Sequence, residues 1–108
     1  MSTPKEIFEE MKKRLEEDPS KVAGVNAVYQ FIVDGENGGK WYADLTGEKP
    51  AIVEGEHSNP NVTIMVGDED FVKIKSGQMS GQMAFMTGKL KIKGDMGLAM
   101  KLQKLLGS

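Results

Sequence analysis

The hydrophobic residues near the start of the chain recur at helical spacing. The segment Thr3-Pro4-Lys5-Glu6 has the N-cap, the first-turn proline and the acidic residue that are typical of a helix start. Asp18-Pro19 is predicted to end the helix, because the residue before a proline is pushed out of the helical conformation. One face of this helix is apolar and carries Ile7, Phe8, Met11 and Leu15.

The middle of the chain alternates apolar and polar residues at the spacing of β-strands. A glycine-rich turn at 34–39 separates the first two runs, and this arrangement predicts a hairpin. Asn59-Pro60 breaks the pattern before the last run. Four strands are therefore predicted, over residues 27–33, 40–45, 51–54 and 62–66.

After Val66 the hydrophobic period changes to that of helices. Asp68 is predicted to cap one helix and Ser80 to open a shorter one. A strand follows over residues 89–93, and a last helix ends at Leu106. The order helix, four strands, two helices, strand, helix predicts an α+β fold, in which a five-stranded, mainly antiparallel sheet is covered on one face by helices.

Composition limits the chemistry that the chain can perform. At 108 residues, it is predicted to be a single domain over residues 1–108. It has no cysteine, which excludes disulfides and thiolate metal sites, and no metal-ligand cluster is visible. No stretch approaches the ~18 apolar residues of a membrane span, so we expect a soluble, intracellular protein. The one histidine, His57, is either an acid–base group or a loop residue without chemical duty, and we expect no enzyme activity.

The charge is distributed unevenly along the chain. Residues 1–70 carry 7 basic and 15 acidic groups, whereas residues 71–108 carry 7 lysines and a single acidic residue, Asp95. Two explanations remain open: the Lys-rich C-terminal part makes transient contact with an anionic membrane surface, or its lysines only keep an apolar segment soluble. The lysines of the predicted strand 89–93 would also protect a sheet edge from aggregation. Arginine occurs once and no aromatic residues interleave with these lysines, so no nucleic-acid partner is predicted.

Methionine is the residue type that points most clearly to a function. Met79, Met83 and Met86 fall at i, i+4 and i+7 of one predicted helix. Methionine suits surfaces that adapt to varied apolar partners, although it also fills irregular cores. The last helix has leucines on one arc and Met96 and Met100 near the opposite face. One side would pack on the fold, and the other would meet a ligand, a partner or a membrane.

The C-terminal part of the chain resembles a known family. Gly88-Lys89-Leu90-Lys91-Ile92 and Gly94-Asp95-Met96-Gly97-Leu98-Ala99-Met100-Lys101-Leu102 are similar to the C-terminal signature of the sterol carrier protein type 2 family, the non-specific lipid-transfer proteins. Ala84-Phe85 and Val62-Thr63-Ile64 extend the resemblance towards the N-terminus. It implies the same sheet-and-helix architecture, with an apolar tunnel between the layers and the C-terminal helix as a lid.

The resemblance also implies a ligand class and a location. Members of the family bind long-chain fatty acids, fatty acyl-CoA, sterols or phospholipids. Peroxisomal members end in a tripeptide similar to Ser-Lys-Leu, whereas this chain ends in Leu106-Gly107-Ser108. We therefore expect a cytoplasmic, non-catalytic lipid carrier that needs no cofactor and no metal. The alternative is a protein-interaction or accessory module whose Met-rich groove binds an amphipathic segment of a partner.

Placing the apolar faces of the predicted elements on such a tunnel gives a set of expected lipid-binding residues. Arg14 joins the set because it is the charged residue nearest the apolar face within the first helix and could pair with a carboxylate or phosphate at the tunnel mouth. It could equally pair with Glu10 on a solvated flank. The full set is Met11, Arg14, Leu15, Phe31, Ile74, Met79, Met83, Met86, Leu98, Leu102, Leu105 and Leu106.

Overall fold

A computed structural model of the chain describes residues 3–22, 24–47 and 49–106, and its elements follow the predicted order. None of the helices in these residues is long and apolar enough to cross a bilayer. A short 3-10 turn, Pro19–Val22, follows the first helix. The elements are α1 (Pro4–Glu17), β1 (Val28–Asp34), β2 (Gly39–Asp44), β3 (Ala51–Glu54), β4 (Val62–Gly67), α2 (Asp68–Lys75), α3 (Gly81–Met86), β5 (Leu90–Gly94) and α4 (Met96–Leu106).

The five strands form one mixed sheet in the order β3-β2-β1-β4-β5. The β1–β2, β2–β3 and β4–β5 pairs are antiparallel, and the β1–β4 pair is parallel. The meander β1–β2–β3 occupies one side of β1, so the chain crosses back and adds β4 on the other side. The prediction of an α+β fold with a mainly antiparallel sheet is confirmed.

An aromatic cluster fills the space between α1 and the sheet. Phe8 is 1% exposed and stacks on Trp41, with 4.6 Å between the ring centroids. It also stacks on Phe71 of α2 at 5.1 Å and meets the edge of Phe31 at 5.1 Å. Such pairs contribute roughly 0.5–1.5 kcal/mol beyond the burial of their area. The half of the sheet under α1 is therefore solidly packed.

The helix starts agree with the sequence at Thr3 and Ser80 and differ at Asp68. The Thr3 hydroxyl accepts the Glu6 N–H at 3.3 Å, so Thr3 caps α1 as predicted. The prediction that Asp68 caps α2 is wrong, because Gly67 occupies the N-cap position and α2 begins at Asp68 itself. The Asp68 carboxylate instead accepts the N–H of Asn37 at 3.1 Å and so holds the β1–β2 turn against the start of α2.

Candidate functional site

An apolar cavity of about 570 Å³ lies between the sheet and helices α2, α3 and α4. This volume falls within the range of small-molecule binding sites. The cavity is partly open to solvent. It occupies the half of the sheet that α1 does not cover, and the rings of Phe31 and Phe71 belong both to its wall and to the aromatic cluster.

The floor of the cavity is the inner face of strands β1, β4 and β5. Phe31 lies beside Ile64, and Ile64 lies beside Ile92, on neighbouring strands. Val66 and Leu90 form the next such pair. Because successive residues of a strand point to opposite faces, these side chains all point into the same layer. The floor is therefore aliphatic and aromatic and offers no side-chain hydrogen-bond donor.

The rim of the cavity has an apolar part and a polar part. Phe85 of α3 and Met96 and Met100 of α4 line the opening and are 42%, 44% and 68% exposed. The polar part comes from the segment between the end of α2 and the start of α3, where Lys75, Ser80 and Gln82 line the wall. Large exposed apolar side chains around an opening are typical of a surface that meets a ligand, a partner or a membrane.

Helix α4 is held over the sheet by Tyr29 of β1. The phenol of Tyr29 donates a hydrogen bond of 2.9 Å to the carbonyl oxygen of Leu98. Burial, and to a smaller extent the Asp95 carboxylate, raises the pKa of Tyr29 above its ordinary value, so the donor stays protonated. The Asp95 carboxylate also accepts the N–H of Leu98 at 3.2 Å and caps α4. These contacts fix the first turns of the helix that covers the cavity.

Three of the predicted lipid-binding residues lie in the wall of the cavity. Phe31 belongs to the floor, Ile74 to α2, and Met79 to the α2–α3 connection. Leu98 is half-buried and packs against the core on α4, beside the cavity wall. The side chains of Leu102, Leu105 and Leu106 lie outside the described part of the structure. The role of all these residues in lipid binding stays a prediction.

The predicted residues of α1 lie away from the cavity. Met11 and Leu15 are half-buried and pack against the hydrophobic core, because α1 covers the β2–β3 side of the sheet. Arg14 has a side chain that is 53% exposed and pairs with Glu10 at 2.6 Å on the same helix. The structure thus places Arg14 on a solvated flank, which was the alternative interpretation of this residue.

The predicted stripe of three methionines does not form. Because α3 begins at Gly81, Met79 precedes the helix and does not share its periodicity. Ala84 is fully buried and faces the fold, while Met83 and Met86 are 59% and 73% exposed and do not line the cavity.

Several cavity residues were not in the predicted set. The strand residues Ile64, Leu90 and Ile92 belong to alternating patterns that the sequence shows, and their inner face could have been assigned once the sheet order was known. Met96 and Met100 were recognised as a second apolar side of the last helix, and both line the opening. Val66 shares the alternation of Ile64, and Phe71 lies on the same predicted apolar helix face as Ile74. No sequence signal placed the remaining residues in the wall, which are Lys75, Gly77, Ser80, Gly81, Gln82, Phe85 and Ala99.

A buried hydrogen-bond network around Gln30 and His57 lies on the face of the sheet opposite to the cavity. The N–H of His57 donates to the side-chain oxygen of buried Gln30 at 2.7 Å, and the Gln30 amide donates to the carbonyls of Trp41 and Gly55 at 3.0 Å each. The His57 ring meets the edge of Tyr42 at 5.1 Å. These contacts hold the loop after β3 against β1. Within the described residues, no group of His, Asp and Glu side chains could hold a metal ion.

Comparison with known proteins agrees with this architecture. The sequence model of the SCP-2 sterol transfer family matches residues 8–107. Hydroxysteroid dehydrogenase-like protein 2 of Xenopus laevis is 44% identical over 103 residues, which are 94% of this chain, and the chain spans 24% of that relative's length.

Two solved structures share the fold over nearly the whole chain. Sterol carrier protein 2 of Yarrowia lipolytica, in its apo form, matches with a TM-score of 0.81 and 24% identity over 94% of this chain and 87% of its own. At that identity the similarity shows the fold alone. The solution structure of palmitated SCP2L2 from Aedes aegypti also has a TM-score of 0.81, with 29% identity over 99% of this chain and 96% of its own.

Proposed function

Because the chain belongs to the SCP-2 sterol transfer family, we propose that it is a lipid carrier that binds a long acyl chain in the cavity and releases it unchanged. The observation that carries the proposal is the apolar cavity of about 570 Å³, with a floor made only of aliphatic and aromatic side chains. The palmitated relative from Aedes aegypti supports a fatty acid as one ligand class.

The energetics of chain burial support this function. An acyl chain of about fifteen methylenes gains roughly 12 kcal/mol when it leaves water, at about 0.8 kcal/mol for each methylene. Ordering and association remove several kcal/mol of this gain, and the remainder still gives micromolar or tighter binding. The floor has no fixed donors and does not itself select among head groups, so the proposed ligands include fatty acids, fatty acyl-CoA, sterols and phospholipids in an apolar tunnel.

Contact with a membrane during loading and release is part of the proposal. Met96, Met100 and Phe85 are exposed at the rim and could enter the interfacial region of a bilayer. Lys91 and Lys93 of β5 are exposed on the strand face opposite to the floor residues Leu90 and Ile92, and each would add about 1 kcal/mol only where this sheet edge also lies near an anionic surface. Sedimentation with neutral and anionic vesicles tests this contact, and equal binding to both would exclude a contribution from the lysines.

We propose the cytoplasm as the compartment in which the protein works, and cell fractionation tests this location.

Identification of a co-purifying ligand is the direct test of the carrier function. Native mass spectrometry of freshly purified protein should show a bound mass near one per chain, and organic extraction should identify it as a fatty acid, acyl-CoA, sterol or phospholipid. Protein that is purified empty should take up an uncharged apolar dye and release it to added lipid. An empty protein that binds neither dye nor lipid would refute the proposal.

A second candidate is an accessory domain that serves a larger enzyme. This chain spans only 24% of the length of its dehydrogenase-like relative, so domains of this kind also occur beside others. Met83 and Met86, exposed on α3 outside the cavity, offer an apolar surface for such a neighbour. The double variant Met83→Ser, Met86→Ser separates the two functions. A carrier should keep stoichiometric lipid uptake, whereas an accessory domain should lose affinity for its partner.

A further inference from the structure

Among the residues that the structure describes, the polar side chains of the cavity wall all come from one continuous segment of chain. Lys75 is the last residue of α2, and Ser80 and Gln82 follow at the start of α3. The other described residues that line the cavity have apolar side chains or are glycines of this same segment. We call Lys75, Ser80 and Gln82 the polar sector. A single polar sector on an otherwise apolar wall can fix the orientation of a bound amphiphile.

The chemistry of the polar sector suits an anion. Lys75 is the one charged side chain that lines the cavity in the described structure, and it is half-buried. No ion pair or side-chain hydrogen bond to another described residue engages its ammonium group. Gln82 adds an exposed amide, and the Ser80 hydroxyl, which accepts the N–H of Met83 at 3.0 Å, can still donate its own proton. Ammonium, amide and hydroxyl groups are all donors for carboxylate or phosphate oxygens.

We propose that the polar sector binds the anionic head group of the ligand, with Lys75 as the cation, and so makes the protein prefer acidic single-chain lipids over uncharged lipids of the same length. This inference rests on the proposed carrier function. It names the head-group chemistry that the cavity favours, a carboxylate or a phosphate. The acyl chain then lies on the floor formed by β1, β4 and β5.

The position of the other basic candidate supports this assignment. Arg14 is paired with Glu10 and does not line the cavity. Lys73 lies on the same helix as Lys75, is exposed, and does not line the cavity either. Among these three cations, only Lys75 can reach a ligand that occupies the cavity. Lys73 therefore serves as a matched control for the loss of one positive charge from α2.

The test compares three amphiphiles that share a twelve-carbon chain of about the same burial energy: dodecanoate, dodecyl phosphate and dodecanol. Each displaces Nile red, an uncharged dye, from the wild type and from Lys75→Met, Lys73→Met and Arg14→Met at neutral pH. Methionine keeps an apolar side chain of similar length at each position, so the charge is the main change. Thermal melting of every variant confirms that the fold is retained.

The wild type should bind dodecanoate or dodecyl phosphate about tenfold more tightly than dodecanol, as expected for about 1.4 kcal/mol of charge-assisted hydrogen bonding at a half-exposed site. Lys75→Met should abolish this preference while dodecanol affinity stays the same, and the other two variants should behave like the wild type. The loss of affinity in Lys75→Met, compared between dodecanoate and dodecyl phosphate, identifies which anion the polar sector favours. Added salt should reduce the preference of the wild type.

Two results would overturn the inference and leave the carrier function intact. One is a wild type that binds all three amphiphiles equally. The other is a Lys75→Met variant that loses affinity for dodecanol as much as for the anions, which would mean that Lys75 only packs the wall. If the wild type binds neither Nile red nor any amphiphile, the proposed function itself fails, and this inference fails with it.

Discussion

Replacement of Ala99 by leucine tests whether the volume of the cavity limits the length of the bound chain. Ala99 lies on α4, is 8% exposed and lines the cavity opposite the strand floor. Leucine is nearly as good a helix former as alanine, so α4 should persist. The three added carbons would occupy space that a long acyl chain uses. The fold should tolerate it because the new carbons enter an existing cavity rather than a packed core.

The magnitude follows from the number of methylenes that the leucine displaces. Three added carbons take the place of about three ligand methylenes, each worth about 0.8 kcal/mol, for a maximum loss of about 2.4 kcal/mol. That is a factor of roughly fifty in the dissociation constant. Because the cavity is open, part of the displaced chain can shift towards the mouth, and we expect a loss of about tenfold for palmitate. Dodecanoate leaves volume unfilled and should bind Ala99→Leu as it binds the wild type.

The assay is displacement of Nile red by dodecanoate and by palmitate, with thermal melting as the test of folding. Met83→Leu is the matched control, because Met83 is 59% exposed on α3 and does not line the cavity. Its ratio of palmitate to dodecanoate affinity should equal that of the wild type. If a folded Ala99→Leu protein loses affinity equally for both acids, or for neither, chain length is not limited by this cavity and the reasoning is wrong.

Three further predictions concern stability. Phe8→Ala should cost about 3–5 kcal/mol in denaturant unfolding, because it empties the centre of the aromatic cluster, whereas exposed Glu9→Ala should cost little. Tyr29→Phe removes the hydrogen bond to α4 and should cost about 1 kcal/mol. Because folding raises the pKa of Tyr29, the free energy of unfolding of the wild type should fall as pH rises above about 10. This part of the alkaline loss should be absent in Tyr29→Phe. Identical pH profiles for the two proteins would contradict the role of Tyr29 as a buried hydrogen-bond donor. Gly94→Ala should cost more than about 1 kcal/mol in thermal melts, because φ is +107° and the new Cβ would lie 2.5 Å from the carbonyl oxygen of Asn61.

The order and type of the elements could be predicted because each carries a local signal. Alternation identified the strands, and Thr3 and Ser80 marked two helix starts through side-chain caps that the structure contains. The parallel pairing of β1 with β4 had no such signal, since it depends on which side of β1 the β2–β3 meander leaves free. Asp68 shows a related limit: its carboxylate could cap a helix, but the approach of the β1–β2 turn gives it Asn37 as a partner instead.

The site was harder to predict than the fold because a periodic pattern shows which face of a helix is apolar, but not which part of the sheet that face covers. The apolar face of α1 was expected in the ligand site. In the structure, Phe8 of this face stacks on Trp41, and aromatic rings fill that half of the layer between helix and sheet.

The same reasoning explains why Arg14 and not Lys75 was expected to hold a head group. Arg14 lies close to an apolar face in the helical projection, whereas Lys75 ends a short helix and has no distinguishing pattern around it. The cavity exists where α1 is absent, so its cation must come from the elements that cover β4 and β5. Among the described residues of those elements, the one charged side chain in the wall is Lys75.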